Sequence, residues 1–344
     1  MHRILVVGGG SIGERHLRCF LKTGRAEVAL CDNRPERLKQ IAAAYPLVGA
    51  YEDFNRIDLS KFYAVVIGVP AHLHVPWARK AVEAGAHTLI EKPLSLSLEG
   101  IDELDRLAKS TRRTVGVAHV RRAMPAMKVA KRELESGKIG DVLACSFIGL
   151  YDHRTARPDY RSTYWAHRAQ GGGAVFDVSS HITNMIQWYL GPIKSVMAQY
   201  DHLLIEGTDA EDTLSYLLRF RNSPALGAVH LVAWQAERTD QLILSGTKGS
   251  IHCDAWTGRV GVVLRDGNWT WTEGLRDKPD AKGQTDAPFI FEAENFLDAT
   301  EGKGTIMCSL LEARHTIETC LALSESGRRR AEVVLEDRKD ISGS

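Results

Sequence analysis

Along the first third of the chain, short unbroken apolar runs alternate with amphipathic stretches. Residues 3–7 (RILVV), 26–30 (AEVAL), 63–69 (YAVVIGV), 87–90 (HTLI) and 114–117 (TVGV) are rich in β-branched residues and bounded by Gly, Pro or charge. That pattern predicts strands buried on both faces. Between them, helical spacing covers 11–22, 35–44, 75–84 and 97–109. The first ends at Gly24, the second starts with Pro35, the third ends at Gly85, and the fourth aligns Ile101, Leu104 and Leu107 on one side. Strands alternating with helices predict a parallel, doubly wound α/β sheet.

Near residue 120 the rhythm changes. A helix over 125–136 closes at Gly137. Strands of period two then follow over 142–150, 193–200, 212–220, 225–234, 240–245, 249–254 and 259–265, joined by short turns such as RNSP, SGTKGS and RDGN. This predicts an α+β region with a large, mostly antiparallel open sheet. Helices over 174–190, 287–301 and 306–326 are expected to cover one face of it. The expected domains are 1–122, 123–334 and a loose, charged tail over 335–344.

Composition narrows the picture. A chain of 344 residues, 44% hydrophobic and 25% charged, is long enough for about two globular domains. Lys and Arg total 44 against 43 acids, a net charge of +1, so no nucleic-acid or membrane partner is expected. Cys19, Cys31, Cys145, Cys253, Cys308 and Cys320 include no CxxC pair and no zinc-type spacing with histidine. Reduced thiols and no metal are therefore expected. There is no membrane-length apolar run, and the start, MHRILVVGGGSIG, lacks a signal-like apolar core. A cytoplasmic protein is expected.

Residues 8–13, GGGSIG, place Gly8, Gly10 and Gly13 between a predicted strand and a predicted helix. In that context GxGxxG is a dinucleotide fingerprint. Gly8 allows the turn, Gly10 lets backbone approach a pyrophosphate, and Gly13 lets helix and strand pack closely. Asp32 ends the second strand, where a carboxylate accepts ribose hydroxyls and repels a 2′-phosphate, which favours NAD over NADP. Arg34 nearby is the residue type that serves NADP, and Asp32 has a competing reading as a helix N-cap. The turn at Val69 and Pro70 is placed to line the nicotinamide. His72 and His74 beside it are either structural or functional.

Four blocks, in this order, carry a likeness to a known family: GGGSIGERH (8–16), VPAHLH (69–74), EKPLS (91–95) and GGGAVFDVSSH (171–181). The chain resembles the Gfo/Idh/MocA oxidoreductases, the group of glucose–fructose oxidoreductase and inositol dehydrogenase. AHVRRAMP (118–125) is a weaker match, with Ala123 where an aromatic is usual. The likeness spans about residues 1–330 and implies a Rossmann domain followed by an open antiparallel sheet. It also implies that Lys92, Asp177 and His181 form the catalytic set. The expected cofactor contacts are Gly8, Gly10, Ser11, Ile12, Gly13, Asp32, Asn33, Arg34, Val69, Pro70, His74, Glu91, Lys92 and His119.

The residue types suit that assignment. Lys92 falls at the carboxyl end of a strand, where such sheets bind ligands, and an ammonium there stabilises an alkoxide. The competing reading is a solvated lysine. Asp177 and His181 stand four apart on a predicted helix, and a carboxylate fixes the tautomer of an imidazole and raises its basicity. Against this, His181 lies in an apolar stripe with Val178, Ile182, Met185 and Trp188, the setting of a core histidine, and Asp177 suits a helix N-terminal charge. Residues 151–170 carry Arg154, Arg157, Arg161 and Arg168 beside Tyr151, Tyr160, Tyr164 and Trp165. This reads as a substrate lid or a plain solvated loop. Arg161, Tyr160, Tyr164 and Trp165, with Lys92 and His181, are the expected substrate contacts. Gly171–Gly173 either admits a ligand to the backbone or forms a flexible turn.

The expectation is an NAD-dependent dehydrogenase, with NADP less favoured, acting on a secondary alcohol of a sugar, sugar acid or polyol. The resemblance leaves open a redox-neutral glycosidase or lyase on the same fold, or a non-catalytic NAD sensor. A homodimer or homotetramer through the second-domain sheet is expected from apolar residues on both its faces.

Overall fold

Every residue of the strands β4 (Ala64–Ile67), β5 (His87–Glu91) and β6 (Val115–Ala118) is buried, as a parallel sheet covered on both sides requires. The computed structural model describes residues 1–156, 158–276 and 285–336. In chain order, β1 (His2–Val7), α1 (Ser11–Lys22), β2 (Ala26–Cys31), α2 (Pro35–Ala44) and β3 (Gly49–Tyr51) precede β4. Helix α3 (His74–Glu83) joins β4 to β5, and α4 (Ile101–Thr111) joins β5 to β6. After α5 (Pro125–Glu135) come β7 (Val142–Asp152), a single turn α6 (His153–Ala156), α7 (Ser179–Leu190) and β8 (Ile193–Asp201). Strands β9 (Thr213–Phe220), β10 (Leu226–Val232), β11 (Trp234–Gly246), β12 (Gly249–Asp254), β13 (Arg259–Leu264) and β14 (Trp269–Thr272) complete the second half. The described residues finish with α8 (Ala287–Thr300), α9 (Leu310–Arg329) and β15 (Val333–Val334).

The described residues form two units, 1–128 with 276 and 285–317, and 129–156 and 158–275 with 318–336. In the first, the strand order is β3-β2-β1-β4-β5-β6, all parallel. The order reverses between β1 and β4, and a crevice opens outside the carboxyl ends of strands at such a switch point. Helix α1 buries Leu17 and Phe20, one helical step apart, against Ile4, Val6, Val28 and Leu30 of the sheet. It stops at Thr23, and Gly24 turns the chain with φ +67°.

Helix α8 departs from expectation. Its Ala293, Phe296 and Leu297 belong to the core of the parallel sheet, and Phe296 meets Phe20 edge-on, 6.2 Å between centroids. The segment assigned from sequence to the second sheet thus returns to the first. Its apolar face states only that it is buried, not against which sheet.

The second unit holds a nine-stranded sheet in the order β14-β13-β12-β11-β7-β10-β9-β8-β15, antiparallel except for β7 with β10. In β9 the residues Leu214, Tyr216, Leu218 and Phe220 are buried while Ser215, Leu217 and Arg219 are exposed. Helix α7 buries Ile182, Met185, Ile186 and Tyr189, and Thr183 meets the Tyr216 hydroxyl at 3.2 Å. Leu143, Ile148, Met197, Leu217 and Leu226 stay exposed on the sheet strands. The short strands β3, β14 and β15 carry too few residues for a period to register. All six cysteines are buried thiols. No helix among the described residues is long and apolar enough to cross a membrane. Residues 337–344, most of the expected tail, lie outside the described residues.

Candidate active site

The glycines of the fingerprint are set by contact. A Cβ on Gly8 would lie 2.3 Å from the Gly68 carbonyl oxygen, and one on Gly13 would lie 1.7 Å from that of Gly8. Neither position admits a side chain. A Cβ on Gly10, by contrast, would meet nothing within 4 Å. Glycine at Gly10 keeps clear a space beside the N-terminus of α1, where free N–H groups and the helix dipole attract phosphate. Ser11 and Ile12 form the first turn of that helix.

Asp32 ends this cradle. Its carboxylate accepts from the Gly9 N–H at 2.6 Å, from the Arg34 N–H at 2.9 Å, and from the Arg34 guanidinium at 2.9 and 2.8 Å. Burial works to raise this carboxyl, but the hydrogen bonds from Arg34 and Gly9 outweigh it and hold it below the usual range. Asp32 does not cap α2; the N-cap is Arg34, with no side-chain cap bond. Asn33 and Arg34 are exposed. The residues fit a dinucleotide: a clear space at the helix terminus, glycines packed where bulk is forbidden, and an ionised acid at the end of β2.

On the other side of the switch point, Val69 and Pro70 follow β4, half-buried and exposed respectively. His74 is buried and directs its two ring nitrogens at the carbonyl oxygens of Val69 and Pro93, at 2.7 and 2.9 Å. It therefore struts the two loops and offers no spare ring nitrogen to a cofactor. Burial draws it below its ordinary value against the pull of those two carbonyls. Glu91 is likewise committed within the protein: one oxygen meets His16 at 2.7 Å, and the other accepts the Lys92 N–H at 2.9 Å. Lys92 is half-buried at the end of β5, before a cis peptide bond to Pro93. His119, fully buried after β6, is held well below its usual value by burial, then by the Arg122 and Lys92 cations.

In the second unit, Asp177 lies in a single wide turn, Ala174–Val178, that leads into α7, and His181 sits in the first turn of α7. Both are half-buried. The Tyr164 hydroxyl donates to Asp177 Oδ1 at 2.7 Å, a pairing that sequence distance concealed. The wide turn is anchored from behind by Glu211, whose carboxylate accepts the Val175 N–H at 2.8 Å and pairs with Arg168 at 3.2 Å. Sequence reasoning missed Glu211. Its only signal is an acid at the foot of a strand.

The loop before α7 corrects two expectations. Tyr160 and Trp165, expected against substrate, are each only 2% exposed and pack with Ile205 and Ala233 in a small core of their own. The Tyr160 hydroxyl donates to the Glu206 carbonyl at 2.8 Å, and Trp165 stacks on His153. A loop this long must bury something to hold a shape, and the aromatics do that. Arg161 is exposed, donates to the Glu206 carbonyl at 3.2 Å and lies over the Tyr160 ring. Tyr164 alone of the loop aromatics named as substrate contacts is exposed, at 44%. Arg157 and the side chain of Arg154 lie outside the described residues. The glycine run is a packing feature: a Cβ on Gly172 would lie 2.2 Å from the Trp165 carbonyl oxygen, and Gly171 and Gly173 have φ +83° and +84°.

Two family models match the chain. Residues 2–119 match an oxidoreductase family with an NAD-binding Rossmann fold, and residues 127–252 match the GFO/IDH/MocA C-terminal domain. An uncharacterised oxidoreductase of Synechocystis sp. is 28% identical over 228 residues, spanning 62% of this chain and 61% of that protein. The scyllo-inositol 2-dehydrogenase (NAD(+)) of Bacillus subtilis is 24% identical and aligns over 99% of this chain and 98% of its own. Among solved structures, a levoglucosan dehydrogenase in complex with NADH and levoglucosan superposes with a TM-score of 0.86 at 23% identity, covering 97% of this chain and 99% of that one.

Proposed function

The chain belongs to the Gfo/Idh/MocA family of oxidoreductases, and from that premise we propose that it oxidises a secondary alcohol of a sugar, sugar acid or polyol, with NAD as acceptor. The observation that carries the reading is Lys92. It is fixed at the carboxyl end of β5, its backbone tied to Glu91, in the same unit as a cradle fitted to a dinucleotide. A polyhydroxylated substrate is supported by the inositol and levoglucosan dehydrogenases among the relatives.

A bound nicotinamide supplies the acceptor for hydride. The side chains manage the proton and the oxygen. His181 takes the hydroxyl proton, Asp177 orients its ring, and the Lys92 ammonium stabilises the negative charge that develops on oxygen as the C–H bond breaks. Tyr164 holds Asp177 in place through its hydroxyl. NAD is favoured over NADP because the ionised Asp32 repels a 2′-phosphate. Arg34, engaged with Asp32, offsets part of that repulsion. The buried thiols suit a reducing compartment, and we place the protein in the cytoplasm.

The test is a screen of sugars, sugar acids and polyols with NAD and NADP, read as reduced cofactor. NADH should accumulate in step with ketone. Product without net NADH would instead indicate the redox-neutral chemistry, and NAD binding without any turnover would indicate a sensor. Lys92→Ala should lower turnover by about 10²–10³-fold, the usual cost of losing an oxyanion donor, while NADH binding changes little. Loss of NADH binding in that variant would make Lys92 structural.

A further inference from the structure

Among the ionisable side chains buried in the first unit, three stand on three different elements and bear on Lys92. His16 of α1 is 1% exposed, Glu91 at the end of β5 is 6% exposed, and Glu292 of α8 is 2% exposed. Ions in such a place cost several kcal/mol each unless paired, and an apolar set of similar volume is often as stable or more so. Stability alone therefore gives no reason for them. Their connections do.

His16 stands three residues after Gly13, on the helix whose first turn carries the dinucleotide fingerprint. Its Nε2 meets Glu91 Oε1 at 2.7 Å. The other oxygen of Glu91 accepts the Lys92 N–H at 2.9 Å. One carboxylate thus bridges the phosphate-binding helix to the backbone of Lys92. Short charge-assisted hydrogen bonds shielded from water are stiff. Glu292 completes the arrangement. Neither of its oxygens has a hydrogen-bond partner among the described residues. Burial, and then the charge of Glu91, push its carboxyl well above the usual range.

We propose that His16 and Glu91 are positioning residues that couple α1, and through it an occupied dinucleotide site, to the placement of Lys92. The proposal rests on the reading of Lys92 and of the cradle given above. It requires no motion of large amplitude: a helix that settles on a pyrophosphate carries His16 with it, and Glu91 passes the restraint to the Lys92 amide.

The experiment measures hydrogen–deuterium exchange at the Lys92 amide, in the full-length protein, with and without saturating NADH. In the wild type, NADH should slow that exchange by at least about tenfold, the mark of a restrained local opening. His16→Phe, which fills the space but donates nothing, should abolish the NADH-dependent slowing. His16→Gln, whose amide reaches about where Nε2 does, should restore it. With an alcohol substrate from the screen, His16→Phe should lower kcat with KM unchanged, since only the placement of Lys92 is disturbed. Should His16→Phe fail to fold, Glu91→Gln replaces it. That variant has one acceptor oxygen where Glu91 has two, so it cannot accept from both His16 and the Lys92 N–H and should show a weakened NADH response. Equal NADH-dependent slowing in wild type and His16→Phe, or in wild type and Glu91→Gln, would overturn the coupling while leaving the dehydrogenase reading intact. A wild type that binds no NADH would overturn both.

Discussion

At the scale of single residues, the fingerprint glycines separate into two kinds. Gly8 and Gly13 are required by the protein's own backbone, whereas Gly10 faces clear space. Gly13→Ala should therefore destabilise the fold outright, by several kcal/mol as expected for overpacking against backbone, read by urea unfolding. Gly10→Ala should leave the melting temperature within about 2 °C, a surface-sized effect, yet weaken NADH binding by tenfold or more, read by fluorescence titration. Unchanged NADH affinity in Gly10→Ala would remove the pyrophosphate from the place assigned to it. The spacing assigns Gly8 and Gly13 to the turn and the packing and Gly10 to a ligand, but it does not say which backbone atoms stand opposite Gly8 and Gly13, because the fold sets those.

Glu292 supplies a second prediction at this scale. An acid whose pKa is raised on folding binds its proton more tightly in the folded chain. Its contribution is full below the unfolded carboxyl value of 4.5 and is lost as pH rises toward the folded value. Glu292→Gln mimics the neutral form and lacks that loss. Its stability relative to wild type should rise as pH increases above the unfolded carboxyl value, measured by denaturant unfolding. A difference that is flat with pH, or that falls, would mean Glu292 is ionised in the folded protein. The sequence gives no hint of this residue's state: FIFEAENF reads as an amphipathic helix, and only the packing of α8 on the parallel sheet buries the acid.

At the scale of elements, local pattern was sufficient where each element carries its own signals. Helices α1 and α2 run over the residues their spacing, caps and Pro35 marked, and β12 matches its predicted range. It failed where the information is non-local. The return of α8 to the first sheet is one case, and the short strands β3, β14 and β15 are another. The loop over 153–173 is a third: it presents aromatics and arginines as a ligand site does, but Tyr160 and Trp165 form its internal core. Tyr160→Ala should therefore behave as a core truncation, lowering stability by about 3–5 kcal/mol as large aromatic deletions do. Tyr164→Phe, which removes only the donor to Asp177, should leave the fold unchanged and reduce kcat. If Tyr164→Phe altered melting temperature more than turnover, the hydroxyl would be holding the loop together and not serving Asp177.

At the scale of the whole molecule, the register of the nine-stranded sheet puts Ile148, Met197, Leu217 and Leu226 on one face, in water. Apolar side chains spread over sheet strands in this way favour a covering surface. A second copy of the chain is expected to cover this face, giving a dimer or tetramer by light scattering at micromolar concentration. Leu217→Lys should shift the distribution toward monomer. A wild-type monomer under those conditions would contradict this assignment of the face.

The central claim is that an amine and an imidazole, far apart in the chain, serve one hydroxyl. The most direct measurement is a double-mutant cycle on hydride transfer, following NADH in single turnovers of wild type, Lys92→Ala, His181→Asn and the double variant. Groups that work as a unit are strongly non-additive. The double variant should be little slower than the worse single one. Rate losses that multiply, or a single variant that reduces NAD as fast as wild type, would contradict the account.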